Sequence, residues 1–174
     1  MKHDAPVTVR PIRPEDELLM AKFHESLSER SIYMRYFHAM KLNRRIAHDR
    51  LVRICFIDYD REMALVAERE NPETGEPEIL GVGRLSRNNV VLDEAEFAIL
   101  VNDRFQHQGL GTILLEKLLE IGRKEGLRRI TADILLENRA MQRLSKKFGF
   151  HLRRDLEEGV VKADLDLMAG QLVG

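Results

Sequence analysis

Phe97-Ala-Ile-Leu-Val-Asn-Asp-Arg-Phe-Gln-His-Gln-Gly-Leu-Gly-Thr112 joins a strand to a helix through a loop that carries two glycines. Ala95 to Val101 has strand composition. Gly109 to Glu125 has Leu110, Ile113, Leu114, Leu118 and Ile121 at helical spacing, and Gly126 follows as a natural C-cap. Backbone amides at a helix start have no partner within the helix, and the helix dipole adds positive potential there, so a phosphate or pyrophosphate is favoured. Gly109 and Gly111 let the backbone come close to such an anion. Two other glycine motifs do not fit. A dinucleotide fingerprint needs a third glycine where Leu114 stands, and a P-loop needs Gly-Lys-Ser/Thr, which is absent. The loop alone also admits a plainer reading, in which Gly109 only permits a tight turn.

Working outward, Val7 to Arg10 reads as a short first strand closed by Pro11. Pro14-Glu-Asp-Glu17 opens a helix, proline and acids both suiting its first turn, with Leu18, Leu19, Phe23 and Leu27 expected on the buried face. Ser31 to Met40 and Asn43 to Ile54 read as further helical pieces. Met63 to Ala67 and Ile79 to Gly83 are strands separated by the loop Asn71 to Pro77, and Arg87-Asn-Asn89 marks the next turn. After the central helix, Arg129 to Leu135 alternates as a strand, Asn138 N-caps a helix to Phe148, and Val160 to Leu167 forms the last strand. Hairpins together with one β-α-β unit predict an α+β fold around a mixed sheet.

With 174 residues the chain is expected to form a single domain over 1–174, its core about residues 7–167. Lys and Arg number 28 against 29 Asp and Glu, a net charge of -1 that disfavours a dedicated nucleic-acid binder. No apolar run suits a membrane span and no secretory leader is visible, so the expectation is a soluble, cytoplasmic protein without nucleic-acid or membrane partners. Cys55, the single cysteine, lies in an apolar run and reads as a buried small hydrophobe. His24, His38, His48 and His151 are scattered, and no zinc spacing is present, so no metal is expected. Arg44, Arg45, Arg50 and Arg53 read as a basic helix face, solvated or set to hold a phosphate or an acidic patch.

Gln106-His107-Gln108-Gly109-Leu110-Gly111 matches the Q/R-x-x-G-x-G/A signature of the GNAT superfamily of acyl-CoA-dependent N-acetyltransferases. The flanking pattern fits too, with a strand before, a long helix after, then a strand, Asn138 and a helix ending in Gly149-Phe150. Ala95 to Val101 with Glu137-Asn-Arg-Ala-Met141, and also Tyr36-Phe37 and Ile57 to Glu62, are similar to the acetyltransferase domain of bacterial protein-lysine acetyltransferases. The resemblance implies that domain without the fused acyl-CoA synthetase-like region found in the group. It also implies a GNAT fold, with a mixed, mostly antiparallel sheet of six to seven strands, helices on both faces and a splay at the acyl-CoA groove.

On this resemblance, acetyl-CoA is the co-substrate. Loop amides from Gln108 to Thr112, with Gln106 and His107 beside them, hold its pyrophosphate. Backbone of Ile99, Leu100 and Val101 bonds the pantetheine arm, Asn138 contacts the cofactor, and a strand amide polarises the acetyl carbonyl. A lysine of pKa about 10.4 is only about 0.04% neutral at pH 7, and only the neutral amine attacks, so a base is needed. The family's base falls on Glu96, and by alternation Glu96, Ala98 and Leu100 share one face of the strand. Asp93, Glu94 and Glu96 make the mouth acidic. Many members carry a tyrosine acid where this chain has Ser145, so the expectation there is water, positioned by Ser145, at the leaving thiolate. The implied partner is a protein with an accessible lysine, an acyl-CoA synthetase among the candidates. Two other readings stay open, a small-molecule amine acetyltransferase and a non-catalytic acyl-CoA sensor.

Overall fold

The computed structural model describes residues 6–36, 47, 51, 54–55, 61–88, 90–91, 93–106 and 109–168. In chain order its elements are β1 (Thr8–Pro11), a 3-10 turn at Pro14–Asp16, α1 (Glu17–Glu25), α2 (Glu29–Tyr36), β2 (Glu62–Glu70), β3 (Pro77–Arg87), β4 (Glu94–Val101), a 3-10 turn at Asp103–Phe105, α3 (Leu110–Lys124), β5 (Arg129–Leu135), α4 (Arg139–Lys147), β6 (His151–Asp155) and β7 (Val160–Asp166). The strands form one seven-stranded sheet in the order β1-β2-β3-β4-β5-β7-β6. Every pairing is antiparallel except β4 with β5.

Both faces carry a core. Strand alternation sends Leu65, Ala67, Ala95, Phe97 and Ile99 to the face covered by α3, where Leu110, Leu114, Leu115, Leu118 and Leu119 meet them. Ala64, Val66, Val82 and Leu100 point the other way, to Met20, Phe23 and Leu27 of α1 and its following turn and to Ile32 of α2. Gly81 and Gly83 let α3 lie directly on β3, since an added Cβ would stand 3.1 Å from Leu114 and Leu118 respectively. Arg10 fastens the first edge: it donates two 2.8 Å bonds to the buried carboxylate of Asp16 and one of 2.7 Å to Glu68.

Three expectations need correction. Leu18 is 75% exposed, and the buried face of α1 is Met20, Phe23 and His24 instead. Leu18 precedes Met20 by two residues, about 200° of helical rotation, so both cannot face the sheet. On α3, Ile113 lies outside the core and Leu115 and Leu119 replace it, because the helix is turned to seat its leucines over the glycines of β3. The strand β6 has no counterpart in the sequence reading: only Leu152 of His151–Asp155 is apolar, and an edge strand with so few core contacts leaves no alternation to read. Of the helical piece expected at Asn43 to Ile54, only residues 47, 51 and 54 fall among the described ones, while α2 begins at Glu29 rather than Ser31.

Candidate active site

The parallel pairing of β4 with β5 covers only Glu94–Arg129, Ala95–Ile130 and Glu96–Thr131. Beyond Glu96 the two strands diverge, and Phe97 to Val101 pair with β3 alone among the described residues. The opening is a groove of about 620 Å³. Its walls are β4 through Ile99, Leu100 and Val101, β5 through Ala132 to Ile134, α2, the N-terminal end of α3 and the start of α4. A strand edge without a neighbouring strand keeps N–H and C=O groups ready for an extended, amide-bearing ligand.

At the far end of β4, Asn102 Oδ1 accepts from Arg104 N at 2.9 Å and its Nδ2 donates to Ser26 Oγ at 2.7 Å. Gln106 Nε2 donates to Val101 O at 3.1 Å and to Ser31 Oγ at 3.0 Å, so this side chain pins the loop to β4 and to α2. Asp103 completes the fastening, accepting from Ser28 N at 3.0 Å, from Ser28 Oγ at 2.6 Å and from Ser31 Oγ at 3.1 Å. Gly109 has φ +91° at the N-cap of α3, a conformation that favours glycine. A Cβ on Gly111 would stand 3.3 Å from Leu144 Cδ2 of α4, so the second glycine sets how closely the two rims approach. The first turn of α3 carries no acidic side chain to compete for an anion.

Of the expected site residues, Glu96, Ile99, Leu100, Val101, Gln106, Gly109, Gly111, Thr112 and Asn138 all line this groove. Leu110 adjoins it in the chain, with its side chain buried in the core beneath α3. Asn138 caps α4, its Oδ1 accepting from Met141 N at 3.2 Å. His107 and Gln108 lie outside the described residues, as do Arg44, Arg45, Arg50 and Arg53. Ser145 is not brought to the groove: it is 0% exposed, and its Oγ is buried without a hydrogen-bond partner among the described residues.

Glu96 stands on the face of β4 turned toward α2, at the pair where the splay begins. Its side chain is exposed to solvent and forms part of the groove wall. Partial burial, reinforced by the negative charge of Asp133, raises its pKa above the ordinary carboxylate value, while Arg35 and Lys162 pull it down. Asp133, Arg30, Arg35, Arg139 and Arg143 also line the groove, and of these only Arg139, within Glu137–Met141, lies in a stretch that the sequence marks. For Asp133 a signal existed, since it alternates against the buried Ile130, Ala132 and Ile134. Nothing local shows that β5 will lie beside β4.

A second cavity of about 460 Å³ lies between α1 and the sheet and shares Arg35, Ala98 and Leu100 with the groove. The buried Cys55 thiol is pushed up to about 11, chiefly by burial, which makes it a poor nucleophile. Among the described residues no cluster of His, Cys, Asp and Glu is set to hold a metal, and no helix is long and apolar enough to cross a membrane.

Known proteins are similar to this chain in sequence and fold. An acetyltransferase of Pseudomonas aeruginosa, PA5475, is 30% identical over 87% of this chain and 78% of its own length. Acetyltransferase Pat of Mycolicibacterium smegmatis is 26% identical over 91% of this chain, which spans only 45% of that longer protein. The crystal structure of the GNAT domain of S. lividans PAT superposes with a TM-score of 0.78 at 27% identity, covering 95% of this chain and 98% of that one. The profile of the family described as Acetyltransferase (GNAT) matches residues 28–150, from α2 through β4, the glycine loop and α3 to the end of α4. With that loop at the head of a splayed sheet and Glu96 where the splay begins, the chain belongs to the GNAT family of acetyltransferases.

Proposed function

We propose that the protein transfers acetyl from acetyl-CoA to the ε-amine of a lysine on another protein, in the cytoplasm, by direct attack in a ternary complex. The placement of Glu96 carries this reading: a carboxylate at the start of the splay, exposed on the groove wall and raised in pKa by its surroundings. Acetyl-CoA supplies an activated thioester carbon. The amides at the head of α3 and the loop before it hold the pyrophosphate, and the unpaired edge of β4 from Ile99 to Val101 bonds the pantetheine amides. One β4 amide stabilises the oxyanion. Glu96 takes the proton of the incoming ammonium, directly or through water, and Asp133 beside it favours a cationic acceptor. A thiolate leaves readily, so water suffices as the acid, Ser145 being enclosed.

A protein acceptor is supported by the surface next to Glu96. Cross-strand partners share a face, so Glu96, Thr131 and Asp164 project together with Asp133, Lys162, Arg153 and His151. Asp133, Arg153 and His151 are exposed, and this polar surface leads directly to the groove. The test is transfer of labelled acetyl from acetyl-CoA to lysate proteins by wild type and Glu96→Gln. Discrete labelled proteins, with the rate down about 10²- to 10⁴-fold in the variant, are the expected result. An acyl-CoA synthetase among them would identify the substrate class implied by the resemblance.

The second cavity favours a different acceptor, a compact amine whose body occupies the space beneath Arg35, Ala98 and Leu100. In that case label appears only in the low-molecular-weight fraction of the same lysate.

A further inference from the structure

We propose that Lys162 is a site of self-acetylation, its ε-amine taking the acetyl group of acetyl-CoA bound in the protein's own groove. The inference rests on the reading of Glu96 as base and of a lysine ε-amine as acceptor. The sheet runs β4-β5-β7, with Glu96 paired to Thr131, Thr131 to Asp164 and Asp133 to Lys162. Lys162 therefore projects from the same face as Glu96, displaced by two strand spacings, about 10 Å, across the sheet and by two residues, about 7 Å, along it. Its Nζ already leans toward the groove, 3.2 Å from Oδ1 and 3.4 Å from Oδ2 of Asp133, which lines it beside Glu96. Glu158 holds the same ammonium at 2.9 Å, and the side chain is 32% exposed, free to swing from one partner to another. The positive charge of Lys162 also reaches Glu96, lowering its pKa against the effect of Asp133.

The other described lysines stand elsewhere. Lys117 and Lys124 are on α3, Lys146 and Lys147 on α4, and Lys22 of α1 pairs with Glu76 in the loop between β2 and β3. Lys162 is the lysine that the sheet itself carries toward the thioester.

In the step, the ammonium leaves Asp133 and Glu158 and gives one proton to Glu96, which releases it to water. The Nζ lone pair attacks the acetyl carbonyl carbon, the C–N bond forms and the C–S bond breaks. The second proton, shed from nitrogen as the amide forms, ends on the CoA thiolate. The product is neutral, so Asp133 and Glu158 lose their shared cation and Glu96 loses a nearby positive charge. Modification thus acts back on the base.

The experiment needs no foreign acceptor. The full chain is incubated with acetyl-CoA at several protein concentrations, followed by intact mass and peptide mapping, alongside Lys162→Arg and Glu96→Gln. The expected result is one acetyl group on Lys162, gained at a rate independent of protein concentration and at least about 100-fold slower in Glu96→Gln. In Lys162→Arg the intact mass gains no acetyl group. Equal labelling in wild type and Glu96→Gln would mean spontaneous acylation and overturn the proposal. So would a rate that climbs with protein concentration, which means one molecule modifying another. Labelled lysate proteins with unmodified Lys162 sink this inference alone, whereas no label on either sinks the lysine reading with it.

Discussion

As the proposed base, Glu96 must be ionised to accept a proton, yet its surroundings favour the neutral acid, first by partial burial and then through Asp133. The acid limb of the kcat profile is therefore expected above the ordinary carboxylate range. Asp133→Asn removes a negative neighbour and should move that limb to lower pH. Arg35→Gln removes a positive one and should move it higher. A limb that stays in place in both variants would assign the titration to another group. Asp16 shows the opposite sign. Burial would raise its pKa, but the hydrogen bonds from Arg10 and from the amide of Arg13 outweigh that and hold it low. A depressed carboxyl contributes stability that is present above its unfolded pKa of about 3.9 and is lost as pH falls through the lower folded value. Arg10→Met strands that buried charge, and denaturant unfolding at pH 7 should show a loss of about 3–5 kcal/mol that shrinks in acid.

Elements differ in how far their sequences disclose them. The central helix and β5 follow from periodicity, each burying a full apolar stripe, with Gly126 closing the helix; α4 follows from its cap Asn138, its Met141 and Leu144 being only partly buried. The rotation of α1 and α3 does not follow, since their apolar residues exceed one stripe and the partner surface chooses among them. For α3 that surface is the glycine pair of β3, remote in sequence. Asp133, Arg35 and Arg143 are ordinary charges until β5, α2 and α4 meet around the splay, whereas Glu96 and the glycine loop are adjacent in the chain and carry their own pattern. Gly109 ties element to function. With φ at +91°, Gly109→Ala must adopt a left-handed conformation at a cost of about 1–2 kcal/mol. Among the described residues no atom beyond the chain neighbours and the helix's own backbone lies within 4 Å of the added methyl, so that cost falls on the loop rather than on packing. The expected outcome is a raised KM for acetyl-CoA with kcat little changed, read by steady-state kinetics.

At the scale of the molecule, the α1–α2 region and the loop ahead of α3 act together. Asp103 holds Ser28 and Ser31, Gln106 holds Ser31, and Asn102 holds Ser26, so the wall bearing Arg30 and Arg35 is fastened to the loop that receives the cofactor. Asp103→Ala should therefore raise KM for acetyl-CoA and for the acceptor together, although Asp103 precedes the glycines by several residues. An effect on one substrate alone would show that the two sides move independently.

The splay has a consequence for cohesion. Two half-sheets, β1 to β4 and β5-β7-β6, meet along a seam of three residue pairs. Past that seam the inner rim of β4 lacks a neighbouring strand among the described residues, as an outermost strand does, although β4 is the central strand of the seven. An amide-rich ligand arm laid along Ile99 to Val101 would serve as an eighth strand that the chain does not encode. Saturating acetyl-CoA should then do more than occupy a cleft: at about 100 times its Kd it adds about 2.7 kcal/mol to stability, and amide exchange should slow most along β4.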